Sequence, residues 1–132
     1  MRSTLRALIL LVATLATSSF GQVSYVGVGA ACADSGKPCD TLTIPTTVQD
    51  DILIAVLHTR PDEVHTCTTN CSGWTEFSVQ AYDLSGGRIS AWWFRRGGTA
   101  PSPPIFTGPA GAAFSNAFAG RIWAFRGAIL TG

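Results

Sequence analysis

The sequence predicts an all-β fold, an antiparallel β-sandwich of jelly-roll-like type that reads as incomplete at its C-terminus. Three observations lead there. Charged residues make up only 13% of the chain, while Gly and Pro number 14 and 7, so helix formers are scarce and turns frequent. Apolar residues alternate with polar or small ones over short runs, and long stretches of helical spacing are absent after the first 21 residues. The chain also stops at Gly132, soon after a run of core-type residues ending at Arg126. That abruptness reads as the N-terminal part of a longer domain.

Residues 1–21 have the three parts of a secretory signal. Arg2 and Arg6 form a basic start, Ala7–Ala13 with Leu15 and Ala16 an apolar middle, and Thr17–Gly21 a small-residue end. Ser19 and Gly21 would place the cut before Gln22, with a cut after Ser18 or Ser19 as the alternative. The alternative, an uncleaved membrane anchor, needs ~20 apolar residues and the run is shorter; no hydrophobic run follows it, so no membrane attachment is expected after cleavage. Taking 21 residues from 132 leaves 111, one domain over 22–132, and the loss of Arg2 and Arg6 leaves seven basic against eight acidic side chains. A chain without basic excess lacks the footprint of a nucleic-acid binder. The expected location is extracellular or periplasmic.

Val23–Gly29 alternates as the first strand, and 30–40 reads as a loop holding Cys32 and Cys39. Thr41–Ile44 is a short strand ended by Pro45, and 45–50 turn the chain. Ile52–Leu57 is an apolar, β-branched run that reads as a strand covered on both faces. Residues 59–73, the longest polar stretch, read as a surface loop. Trp74–Tyr82 and Arg88–Arg96, joined by a turn at Asp83–Gly87, read as a hairpin, with Arg88–Arg96 as the central strand of the domain. Ile105–Thr107 is a short strand, 110–116 a loop or weak strand, and Phe118–Arg126 the last strand.

Four cysteines behind a signal peptide point to two disulfides. Of three possible pairings, Cys32–Cys39 with Cys67–Cys71 is favoured, because each closes a small loop within one polar segment. Each bond is then expected to pin a surface loop rather than the core. A zinc site from His58, His65, Cys67 and Cys71 is the rival, but the spacing lacks a second close pair, so no metal and no cofactor are expected. Asn70-Cys71-Ser72 matches a glycosylation sequon with a cysteine in its middle, and an ordinary loop asparagine is the simpler reading.

No catalytic constellation is present. The chain has no Gly-x-Ser-x-Gly elbow, and Asp50-Asp51 and Asp62-Glu63 are adjacent carboxylates at turns rather than a pair facing across a cleft. Arg88-Ile-Ser-Ala-Trp-Trp-Phe-Arg-Arg96 carries the one pattern that suggests contact with a ligand. In a strand, Arg88, Trp92, Phe94 and Arg96 share one face and Trp93 takes the other. Those four with Trp74 are the candidate binding residues, since exposed tryptophans stack on sugars or anchor protein interfaces. The alternative is that the tryptophans fill the core.

Several segments together resemble a recurring domain of bacterial secreted and phage tail or fibre-associated proteins. They are Val48–Val56, Ser72–Thr75, Ile89–Arg95, Phe106-Thr107 and Ala119–Gly127. The resemblance covers about 48–127, and neither cysteine-bearing loop, the one with Cys32 and Cys39 or the one with Cys67 and Cys71, is part of it. It implies a β-sandwich, longer than this chain, on cell or virion surfaces, with no catalytic residues to carry over. The expected function is that of a non-enzymatic module for surface binding or structural assembly, with a glycan or a protein as partner. A carbohydrate-binding module and a fragment of an extracellular hydrolase are the alternatives.

Overall fold

The computed structural model describes residues 22–34, 39–40, 42–60, 63–82, 86–108 and 118–128. Residues 1–21, read above as a signal, the 83–85 part of the turn and the whole 110–116 stretch lie outside these residues. Eight strands run in chain order: β1 (Ser24–Val28), β2 (Cys32–Asp34), β3 (Ile52–Thr59), β4 (Thr66–Thr69), β5 (Thr75–Tyr82), β6 (Gly87–Arg95), β7 (Ile105–Thr107) and β8 (Phe118–Arg126). All pairings are antiparallel. The large sheet has the order β1-β8-β3-β6-β5, with β2 also paired to β8, and the small sheet is β4-β7. The two pack together as the expected all-β, sandwich-like fold, with six strands in one layer and two in the other.

The centre of the large sheet is β3 and not β6. Ile52–Thr59 pairs along its whole length with both β6 and β8, whereas β6 lies one strand from the β5 edge. The continuous apolar run of β3 suits that place, because a central strand has neighbours on both sides and covers both faces with side chains. Its inner face, Leu53, Ala55, Leu57 and Thr59, is fully buried. On the outer face Ile54 and Val56 are only half-buried and His58 is exposed, so the expected cover on both faces is complete on one alone.

Cross-strand partners share a face, and this sorts the β6 aromatics. Trp92 pairs with Ala55 and Phe94 with Leu53, so both point inward, and Trp93 pairs with Ile54 and points outward. The inner side chains meet Phe106 of β7, Leu42 and Trp74. The Trp92 and Phe106 rings lie edge to face at 5.3 Å between centroids, and the Trp74 and Phe94 rings are tilted at 37° and 5.4 Å apart.

Both local disulfides are formed, Cys32–Cys39 and Cys67–Cys71. The first does not pin a surface loop. Cys32 sits on β2 of the large sheet, and Cys39 bridges to Phe106 of the small one through two backbone hydrogen bonds of 2.7 and 3.1 Å. The bond therefore staples the two sheets from inside, with both residues at 1% exposure or less. Residues 30–40 accordingly contain a strand, β2, rather than only loop. Segment 42–44 lies outside the ladders, yet Leu42 is core and the Thr43 hydroxyl accepts the Ala30 N–H at 2.6 Å.

Gly120 lies opposite Cys32 on β8 and faces this staple. A Cβ there would stand 2.9 Å from the Cys32 sulfur and 3.2 Å from Leu57. A cross-linked sulfur cannot swing aside as a free side chain would. Gly120→Ala is expected to lower stability by about 1–3 kcal/mol, the range for overpacking a tight core. A urea midpoint equal to that of the parent would contradict this.

Residues 59–73 are not a loop throughout. β4 pairs with β7, and His65 just before it is buried. The imidazole joins Thr59 on β3 through Nε2 (2.9 Å) and Ser90 on β6 through Nδ1 (2.5 Å). One arrangement uses every donor once: Trp92 Nε1 donates to Ser90 Oγ, Ser90 to Nδ1, Nε2–H to Thr59, and Thr59 to the Glu63 carbonyl. A polar run can enter the core because its groups satisfy one another.

The opposite end of the inner face is closed by an ionic row. Asp51, fully buried, accepts Arg126 Nε and Nη2 at 2.8 and 3.0 Å and the Val48 N–H at 2.8 Å. Its backbone carbonyl accepts the Arg96 N–H at 2.9 Å. Asp50 beside it takes a left-handed conformation, φ 69°, which a short polar side chain tolerates, and turns the chain into β3.

Candidate binding face

The outer side of the large sheet is built row by row from strand alternation. Trp93 (β6), Ile54 (β3) and Trp123 (β8) form one cross-strand row. Arg95, Ile52 and Phe125 form the next, and Tyr25 on β1 extends it, its ring 6.1 Å from that of Phe125. On the other side lie Ala91, Val56 and Arg121, then Ile89, His58 and Ala119. Ile54, Val56, Trp93, Trp123 and Phe125 are half-buried, and Tyr25 is 60% exposed. Nothing among the described residues forms a second layer over them.

Two shallow clefts cross this face. One of ≈ 290 Å³ is lined by Ile54, Val56, Trp123 and Phe125, all apolar. The other, of ≈ 260 Å³, runs from Val56 and Trp123 to His58, Ala119 and Arg121. They share Val56 and Trp123, so they form one groove along β3 and β8.

The charges of the face are few. Arg95 donates to Asp50 through Nε and Nη2 at 3.1 and 2.8 Å, so that pair is internally balanced. Arg121 is exposed and makes no hydrogen bond or ion pair with any described residue. Glu76 pairs with Trp92 and so belongs to the other side of the sheet.

The binding residues expected from the sequence do not assemble on this surface. Trp92 and Phe94 pack against the core, and Trp74 is 7% exposed. Arg88 lies at the inner end of β6, level with Thr59. Arg96 follows the strand on the same inner side, where its charge helps keep Asp51 ionised. The physical reason is the small sheet: Phe106 and the Cys32–Cys39 staple cover the Trp92 side, and Trp93 is left outward. Alternation along the strand separates Trp93 from its neighbours, but which side meets the second layer depends on residues far along the chain.

Cys67 and Cys71 are bonded to each other, which leaves no thiolate for the zinc reading. The Asn70 amide, in the sequon, donates to the Pro103 carbonyl at 2.8 Å. His65 and Ser90 touch, but at 4% and 1% exposure they are out of reach of a substrate. The geometry of the outer face is that of an aromatic platform with a cationic end. Comparison with protein-family models, with curated proteins and with solved structures finds no match.

Proposed function

We propose that the protein is a secreted, non-enzymatic module for surface binding or structural assembly, and that its contact surface is the outer aromatic face of the large sheet. The observation carrying this reading is the Trp93–Ile54–Trp123 row. Large aromatic side chains left without a covering layer on one side of a sheet are characteristic of interaction surfaces. The two disulfides are compatible with an oxidising extracellular or periplasmic location. The likeness of the strand-and-turn segments to secreted and phage tail-associated sandwiches supports the same reading.

A Trp93→Ser/Trp123→Ser double variant tests it. Both side chains are half-buried and the core face is untouched, so a stability loss of about 2 kcal/mol is expected. Co-sedimentation with intact cells, isolated cell walls or insoluble polysaccharides, or self-association in sedimentation velocity, should fall roughly thirtyfold, as on loss of a binding hot spot. A parent protein that is monomeric and sediments with none of these surfaces would sink the reading. So would a double variant that binds as the parent does.

A further inference from the structure

We propose that the groove along β3 and β8 binds an acidic glycan, with a sugar ring carried on Trp123 and its carboxylate or sulfate paired with Arg121. The inference rests on the outer face being the contact surface and adds the chemistry of the partner.

Arg121 and Trp123 are two residues apart on one strand and point to the same side, so they stand about 7 Å apart along β8. That separation suits one pyranose ring and its charged substituent. Trp123 supplies an apolar plane for the C–H face of a sugar. Arg121 offers a planar fork of donors matched to a carboxylate or sulfate. No carboxylate of the described outer face competes for it, since Asp50 is held by Arg95. The face therefore presents one unbalanced positive charge beside its aromatic floor, and its complement is an anion with an apolar side.

The shape of the groove favours a polymer over a small free acid. Pockets that engulf a small ligand are concave and cover most of its surface. Here two open clefts join end to end through Val56 and Trp123. From Ala119 to Phe125 the groove follows β8 for about 20 Å, room for several sugar residues laid along the strand. Phe125 and Tyr25 at the far end extend the apolar floor without adding charge.

The test measures binding of the full secreted protein to polygalacturonate, alginate and a sulfated glycan, with amylose and xylan as neutral controls and anionic phospholipid vesicles alongside. Tighter binding to the acidic glycans is expected, weakening as salt is raised. Arg121→Gln changes an exposed side chain, so it keeps the fold and isolates the ionic part. It should reduce acidic-glycan affinity about tenfold, the effect of losing one hydrogen-bonded charge, and flatten the salt dependence of that binding. Equal binding to acidic and neutral glycans, or no effect of Arg121→Gln, overturns the inference while the contact face stands. Binding to vesicles or to a second copy of the chain, without binding to any glycan, overturns it in the same way. Failure of the contact face itself would appear instead as a Trp93→Ser/Trp123→Ser variant that behaves as the parent.

Discussion

A Cys32→Ala/Cys39→Ala variant is expected to lose about 3–5 kcal/mol of stability, against about 2 kcal/mol for Cys67→Ala/Cys71→Ala. Loop length separates the two bonds very little. Sequence separations of 7 and 4 imply chain-entropy contributions of about 2.5 and 2 kcal/mol. The difference comes from location. Cys32 and Cys39 are fully buried beside Leu57 and Gly120, and their removal leaves a void in the core in addition to releasing a loop. It also unties β2 of the large sheet from the segment that runs beside Phe106 of the small one. Cys67 and Cys71 are only partly covered, and their bond ties β4 to the turn before β5. Urea denaturation of both variants measures the contrast, and equal losses would refute it. Under mild reductant the same geometry predicts that Cys67–Cys71 opens first.

The second large effect concerns Asp51. The hydrogen-bonded Arg126 guanidinium holds its carboxyl below the ordinary value near 3.8, against the opposing effect of burial, with the Val48 N–H and the nearby Arg96 charge adding to the depression. A carboxyl whose folded value is lowered contributes stability above its unfolded value and loses that contribution as pH falls through the folded one. The protein should therefore lose stability progressively as pH falls below about 4. Asp51→Asn is expected to cost about 2–4 kcal/mol at pH 7, because the amide cannot accept from Arg126 and Val48 together. As pH falls below the unfolded value the parent gives up part of that contribution and the variant has none to lose, so the gap between them should narrow. A gap of equal size at pH 7 and pH 3 would show that the charge is not what matters at this position.

Much of the local structure was legible in the sequence. Phe118–Arg126, Ile105–Thr107 and the hairpin of 74–82 with 88–96 follow from alternation and turn residues, and the disulfide pairing follows from segment-local spacing. Long-range placement was not legible. Nothing local in Ile52–Leu57 says that Phe118–Arg126 returns to lie beside it, and that return makes β3 the centre. His65, Thr66 and Cys67 look like loop because they are polar, yet His65 is buried once Thr59 and Ser90, from two other strands, meet it. The site was half legible for the same reason. The sequence separates Trp93 from Trp92 and Phe94, but the side that meets solvent is decided by Phe106 and Cys39. Arg121 and Trp123 join the outer groove only through the register of β8 on β3.

The position of β8 also governs how the chain can assemble. β8 separates β1 from β3, so the first strand has no lateral partner until about ninety residues further on have arrived, and until then one side of β3 is an unsatisfied, strongly apolar template. Folding of this kind depends on distant segments meeting, which places it among the slow β-type folders, and the exposed side of β3 is a target for mispairing during the wait. A chain exported unfolded and completed only after its distal strand has crossed would never hold that intermediate at high concentration inside the cell. The same topology makes the Phe118–Arg126 segment, added as a separate peptide, a natural competitor for β3 during refolding.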